Sequence, residues 1–135
     1  SNQAKAKIAL SVLNSSLFFW FFTISSDCRN LNKREIDNFF IDLDLLEKSS
    51  SGRILQDLAD SLMNDFQNNS EMRTSNYKQH GKLTIQCIFP RKSKSIIDEI
   101  DKELGKFLGF EKSEIDFIVN YDIKFRLGVL DDEKE

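Results

Sequence analysis

The 135-residue chain has one proline, one histidine, one tryptophan and two cysteines, and its five glycines stand apart from one another. Isolated glycines exclude a glycine-rich phosphate loop and a dinucleotide fingerprint. With only His80, Cys28 and Cys87 there is no Cys/His set for zinc and no disulfide framework, so a reduced, cytosolic protein with two inert thiols is expected. A nucleophilic triad would have to rest on His80, which sits in a basic turn and reads as a surface residue. No apolar run reaches the about 20 residues that a membrane span needs. Residues 8–24 come nearest, but Ser11, Asn14, Ser15 and Ser16 interrupt them. Lys5 and Lys7 ahead of that stretch imitate a signal peptide, yet no small-residue cleavage pattern follows. Asp122-Ile123-Lys124 matches a D-x-K fragment of nucleases, but it falls inside an expected helix with no strand-borne partner acid. No catalytic residue is assigned.

Phenylalanine is abundant. Twelve Phe against two Tyr predict a Phe-rich core. Apolar residues make up 40% and charged residues 30%, the balance of a globular chain with room for one modest core. The net charge of −3 hides an uneven distribution. Residues 71–94 hold six bases against Glu71 alone, a net of +5, while residues 95–135 hold twelve acids against six bases, a net of −6.

Hydrophobic spacing predicts an α+β chain, mostly helical, with four to five helices and a small antiparallel hairpin. Leu10, Leu13, Leu17, Trp20, Phe21 and Ile24 recur at helical steps, so residues 4–24 are expected to form one helix whose last turns need cover on all sides. Asn32 with Glu35 three residues on predicts a capping box for a short helix. "NFFIDLDLL" is expected to be extended or irregular and "KSSSG" (48–52) to be a flexible linker. Residues 53–68 carry the stripe Leu55, Leu58, Leu62 and Phe66, with a serine cap before it and Asp57, Asp60 and Asp65 turned outward. Leu83, Ile85, Cys87 and Phe89 alternate on one face of a strand that pairs across the His80-Gly81 turn and ends at Pro90. A helix over 95–108 buries Ile96, Ile97, Ile100, Leu104, Phe107 and Leu108 and stops at Gly109. A last helix, capped by Ser113 with Asp116 in the box position, faces inward through Phe117, Ile118, Tyr121 and Phe125 and ends at Gly128. Acids are expected on outward helix faces, as solvated charge.

The positive functional signal is basic and polar. Arg29, Asn30, Asn32, Lys33 and Arg34 combine cations for phosphates with Asn and Arg, which pair bidentately with base edges. A second group comprises Arg73, Asn76, Tyr77 and Lys78, then Lys82, then Arg91, Lys92 and Lys94, with Tyr77 able to stack or to bond a phosphate. Composition alone is equally met by solvated loops; only a patch in space makes these residues a binding surface.

Two motifs favour the binding surface. "LNSSLFFWFF" followed by "SDCRNLNKREIDNFFIDL" resembles the end of the target-recognition domain in single-chain (type IIG-like) restriction–modification enzymes that carry an N6-adenine methyltransferase. "MRTSNYKQHGKLTIQCIFPRKSKSIIDEIDKELGKFLGF" and "EIDFIVNYDIKFRLG" resemble the C-terminal extension of the same enzymes, so the likeness covers about residues 7–128. The family often has Pro where Phe40 stands, which changes the expected backbone path after Asn38. The resemblance implies that residues 3–48 end a DNA target-recognition domain, that 53–128 form a helical extension with a hairpin, and that 129–135 are a frayed acidic tail. It implies a parent that methylates adenine with S-adenosylmethionine, with Mg2+ as a further cofactor if it also cleaves DNA. The family's catalytic tetrapeptide needs two adjacent prolines, and Pro90 is the sole proline, so catalysis and any cofactor are expected outside this chain. The chain opens Ser-Asn without methionine and reads as a piece of that parent. The expected partners are double-stranded DNA and the parent's methyltransferase domain, with self-association through exposed apolar surface and no membrane. The expected setting is a bacterial or archaeal cytoplasm. A structural brace between the methyltransferase and recognition domains, without DNA contact, is the alternative.

Overall fold

A computed structural model describes residues 2–27 and 29–121. As the periodicity predicts, the chain is α+β and mostly helical, with one two-stranded antiparallel sheet. Among the described residues the helices are α1 (Asn2–Asn14), α2 (Ser16–Ser25), α3 (Lys33–Asp37), α4 (Leu43–Lys48), α5 (Ser50–Asn68), α6 (Lys94–Leu108) and α7 (Lys112–Val119). The strands are β1 (Glu71–Tyr77) and β2 (Gly81–Cys87), and a 3-10 turn covers Pro90–Ser93.

The single helix expected over 4–24 is two helices bent by 65°. Ser15 is the cause. Its extended backbone ends α1, and its hydroxyl accepts the N–H of Phe18 at 3.1 Å, capping α2. Asn14 turns its amide back onto the Leu10 carbonyl at 2.8 Å. A second cap comes from far away: Asp101 on α6 accepts the N–H of Leu17 at 3.1 Å. Two of the four orphan N–H groups at the start of α2 are thus satisfied, and the helix dipole favours the carboxylate there. Asp101 is 2% exposed, so the expectation that the acids of this helix face outward is corrected here. The bend turns the apolar face: Ile8, Val12, Leu17 and Phe18 are buried, while Leu13 and Ile24 are exposed. No single helix among the described residues is long and apolar enough to cross a membrane; α1 and α2 pass that test only as a bent pair.

The expected linker at 48–52 is a tight helix junction. Ser49 ends α4 and caps α5, and a Cβ on Gly52 would strike the carbonyl oxygens of Leu46 and Glu47. Asp42 accepts the N–H groups of Asp44 and Leu45, which turns part of "NFFIDLDLL" into α4. One apolar core draws Ile8, Val12 and Leu17 together with Leu46, Leu55, Leu62, Phe66, Ile97, Ile100, Leu104 and Ile118. Asp65, expected outward, instead binds the buried Ser93 hydroxyl and ties α5 to the 3-10 turn.

α6 stops as predicted at Gly109, whose φ of 74° suits glycine. α7 is capped by Glu111 with Glu114, two residues earlier than the Ser113–Asp116 box expected, and Phe117 is exposed while Ile118 is buried. Phe125, Gly128, the D-x-K run and the acidic tail lie outside the described residues, as does Cys28.

Candidate nucleic-acid interface

The first basic group leaves the end of α2. The polar segment runs into α3 and returns at Phe39 and Phe40. Its two ends are fastened together by aromatic rings. Phe39 meets Phe18 edge-on at 5.1 Å and Phe21 at 5.0 Å, and Phe40 lies 6.0 Å from Phe21. Edge-to-face pairs of this kind add about 0.5–1.5 kcal/mol each beyond their burial. The other side of α2 is held by Tyr121, whose hydroxyl shares a 3.0 Å hydrogen bond with Thr23 and whose ring lies 6.1 Å from Phe19. The greasy run therefore anchors the loop that follows it.

Within the loop the capping box forms as expected, the Asn32 N–H donating to Glu35 Oε2 at 3.1 Å. Arg29, Asn30, Asn32, Lys33 and Arg34 are all exposed. Their charge is nevertheless offset. Lys33 binds Asp37 at 2.6 Å and Arg34 binds Glu35 at 3.1 Å. The Asp37 carboxylate raises the Lys33 ammonium above its ordinary value. Glu35, with a buried side chain, is held below the ordinary carboxylate range by its own backbone N–H, with Arg34 and the Asn32 N–H adding to the effect against the cost of burial. Counting Asp27, segment 27–38 has three bases and three acids and is locally neutral. The i, i+4 partner of Lys33 was readable in the sequence.

The second group lies on the hairpin and the turn after it. β1 and β2 pair in register from Glu71–Cys87 to Tyr77–Gly81, and every strand residue except the half-buried Cys87 is exposed. The alternation of Leu83 and Ile85 is as predicted, but among the described residues no helix covers their face. They are exposed beside Arg73, Ser75 and Tyr77. The opposite face carries Asn76 and Lys82, with Thr74 and Thr84 bonded at 3.0 Å. The result is a two-stranded ribbon with both faces in solvent, Lys78 in its turn, and a length of roughly 20 Å by strand rise. Its base is fixed by Gln86 donating to Ser70 at 2.9 Å and by Phe89, over whose ring the Arg73 guanidinium and the Lys92 ammonium lie at 5.3 and 5.1 Å. Lys94 starts α6, with its ammonium 2.7 Å from Asp98.

The second and third basic runs meet at the base of the ribbon. The structure brings Arg73 and Lys92 together at Phe89, a residue that the sequence pattern placed only on a strand face. It also sets Leu31 of the first loop and Pro90 of the turn on one apolar cleft of about 290 Å³, shared with Leu13, Phe18, Phe22 and Ile97. Lys78 and Lys82 stand at the far end of the ribbon. Two further clefts, one by Trp20, Phe110 and Phe117 and one by Ile36, Phe39 and Ile41, are also lined mainly by apolar side chains. Comparison with protein-family models, with curated proteins and with solved structures finds no match to this chain.

Proposed function

We propose that this chain is a DNA-binding specificity module of a restriction–modification adenine methyltransferase, contributing to target-site recognition and not to catalysis. The observation that carries this reading is the ribbon: an exposed two-stranded hairpin bearing Arg73, Asn76, Tyr77, Lys78 and Lys82, with Arg91 and Lys92 at its base. The major groove of B-DNA, about 12 Å wide, admits a two-stranded ribbon as readily as a helix. Arg and Lys supply phosphate contacts, and the Asn76 amide has the donor and acceptor to read base edges. The loop at 29–34 contributes through Arg29, Asn30 and Asn32, since Lys33 and Arg34 already have carboxylate partners. S-adenosylmethionine, and Mg2+ where the parent also cleaves, are assigned to the parent outside this chain.

The test is duplex binding by the chain carrying Lys78→Ala with Lys82→Ala, beside a second variant with Arg29, Lys33 and Arg34 all changed to Ala. Loss of affinity in the first and a smaller loss in the second are expected. Unchanged affinity in both overturns the reading.

A second reading is a brace between the parent's domains without DNA contact. It is favoured by the apolar surface at the acidic end, where the exposed Phe117 borders the cleft shared with Trp20 and Phe110 while Glu111, Glu114 and Asp116 face solvent. A chain that binds no duplex at low salt, yet whose removal unfolds the parent, would establish it.

A further inference from the structure

Phe89 is half-buried, two residues beyond β2 and one before the 3-10 turn. Its ring carries two cations from different elements, Arg73 from the ribbon and Lys92 from the turn. Both lie within the about 6 Å at which a ring attracts a cation. The two distances keep the charges within about 10 Å of one another. The arrangement is also fixed in place. The Lys92 N–H donates to the Phe89 carbonyl at 3.1 Å, Pro90 opens the turn, and buried Ser93 binds Asp65 on α5. Both cations still face solvent: the Arg73 side chain is 61% exposed and Lys92 is exposed. Glu71 takes one Arg73 nitrogen at 3.3 Å and leaves the rest of the fork open.

Two like charges, pre-positioned on one ring and open to solvent, suit a polyanion that offers neighbouring charges, one to each cation. We propose that Arg73 and Lys92 form a two-point clamp for neighbouring backbone phosphates of nucleic acid, one held by each cation, and that Phe89 is the positioning residue that holds the clamp and fixes the ribbon's angle to the body. The proposal rests on the DNA-binding reading above and names the site where the ribbon is fastened to the DNA backbone. Arg73 supplies the planar donor fork and Lys92 a point charge. Glu71 competes for Arg73, so binding is tightened by its removal.

The test measures labelled-duplex anisotropy across a salt series for the full chain and its variants, with inorganic tripolyphosphate as a parallel probe. Arg73→Ala and Lys92→Ala each shrink the log–log salt slope by about 0.9. Phe89→Leu keeps every charge; it lowers affinity by about threefold to tenfold, and Phe89→Trp restores it. Glu71→Gln raises affinity. Unfolding curves for Phe89→Leu should show an intact fold, since Phe89 lies outside the central core. If duplex binds but Phe89→Leu matches wild type, the positioning role is overturned and the DNA reading stands. If tripolyphosphate binds through Arg73 and Lys92 while duplex does not, the clamp stands and the DNA reading falls. If neither binds, both fall.

Discussion

The Leu17 backbone N–H donates to the Asp101 carboxylate at 3.1 Å, across 84 positions of sequence. This contact places a charged side chain of α6 at the start of the most apolar helix in the chain. It explains why an acid is buried, and it sets the direction in which α2 delivers the basic loop. A hydrogen bond to a charged group contributes about 1.5–3 kcal/mol, and truncating one buried partner leaves the other unsatisfied. Asp101→Ala should therefore lower stability by about 2–3 kcal/mol, and Asp101→Asn by less, because the amide oxygen still accepts. Denaturant unfolding followed by the fluorescence of Trp20, the sole tryptophan, measures both. Wild-type stability in Asp101→Ala would remove the contact from the account.

Gly52 offers a test in which two effects oppose each other. Alanine in a helix is favoured over glycine by about 1 kcal/mol. Here the new Cβ would lie 2.8 Å from the Glu47 carbonyl oxygen and nearer still to that of Leu46, both of them backbone atoms that cannot swing away. Overpacking costs about 1–3 kcal/mol and occasionally more. Gly52→Ala should destabilise on balance, and a stabilised variant would show that the α4–α5 junction is looser than described.

Acid titration tests the Asn32–Glu35 box. Glu35 has its pKa lowered in the folded chain from an ordinary 4.5, so folding favours its ionised form. Its contribution is complete above the unfolded value and is lost as pH falls through the folded value. The stability difference between wild type and Glu35→Gln should be present at neutral pH and vanish in acid below the ordinary carboxylate range. A difference that stays constant down to that range would contradict the sign.

The surface pair of Lys5 and Asp44, 2.5 Å apart, joins α1 to α4. The two groups shift each other in opposite directions, Lys5 upward and Asp44 downward. Both are largely solvated, so breaking the pair should cost little. Lys5→Ala is expected to leave the urea midpoint nearly unchanged, and a large drop would mean that the α1–α4 contact depends on the ion pair rather than on Leu46.

Much of the fold was legible because it is local. The stripes Leu55–Leu62–Phe66 and Ile97–Ile100–Leu104 repeat at helical spacing, Gly109 marks a stop, and Asn32 with Glu35 announces a cap. The break at Ser15 was also written in the sequence, as three polar residues in a row before the greasy run, but the apolar periodicity on either side masked it. The burial of Asp101 was not legible, because it depends on a partner 84 positions away. The exposure of Leu83 and Ile85 was not legible either: alternation tells which residues share a face, not whether another element covers it. At the candidate site, the cations could be listed from sequence. Their neutralisation by Asp37 and Glu35, and the gathering of Arg73 and Lys92 on Phe89, required the fold.

The most direct measurement is the salt dependence of duplex DNA binding by the intact chain. With Arg73, Lys78, Lys82, Arg91 and Lys92 engaged, log affinity should fall against log salt with a slope of about −4.5. A chain that shows no binding at 50 mM salt, or binding with a slope near zero, would contradict a nucleic-acid role for the ribbon.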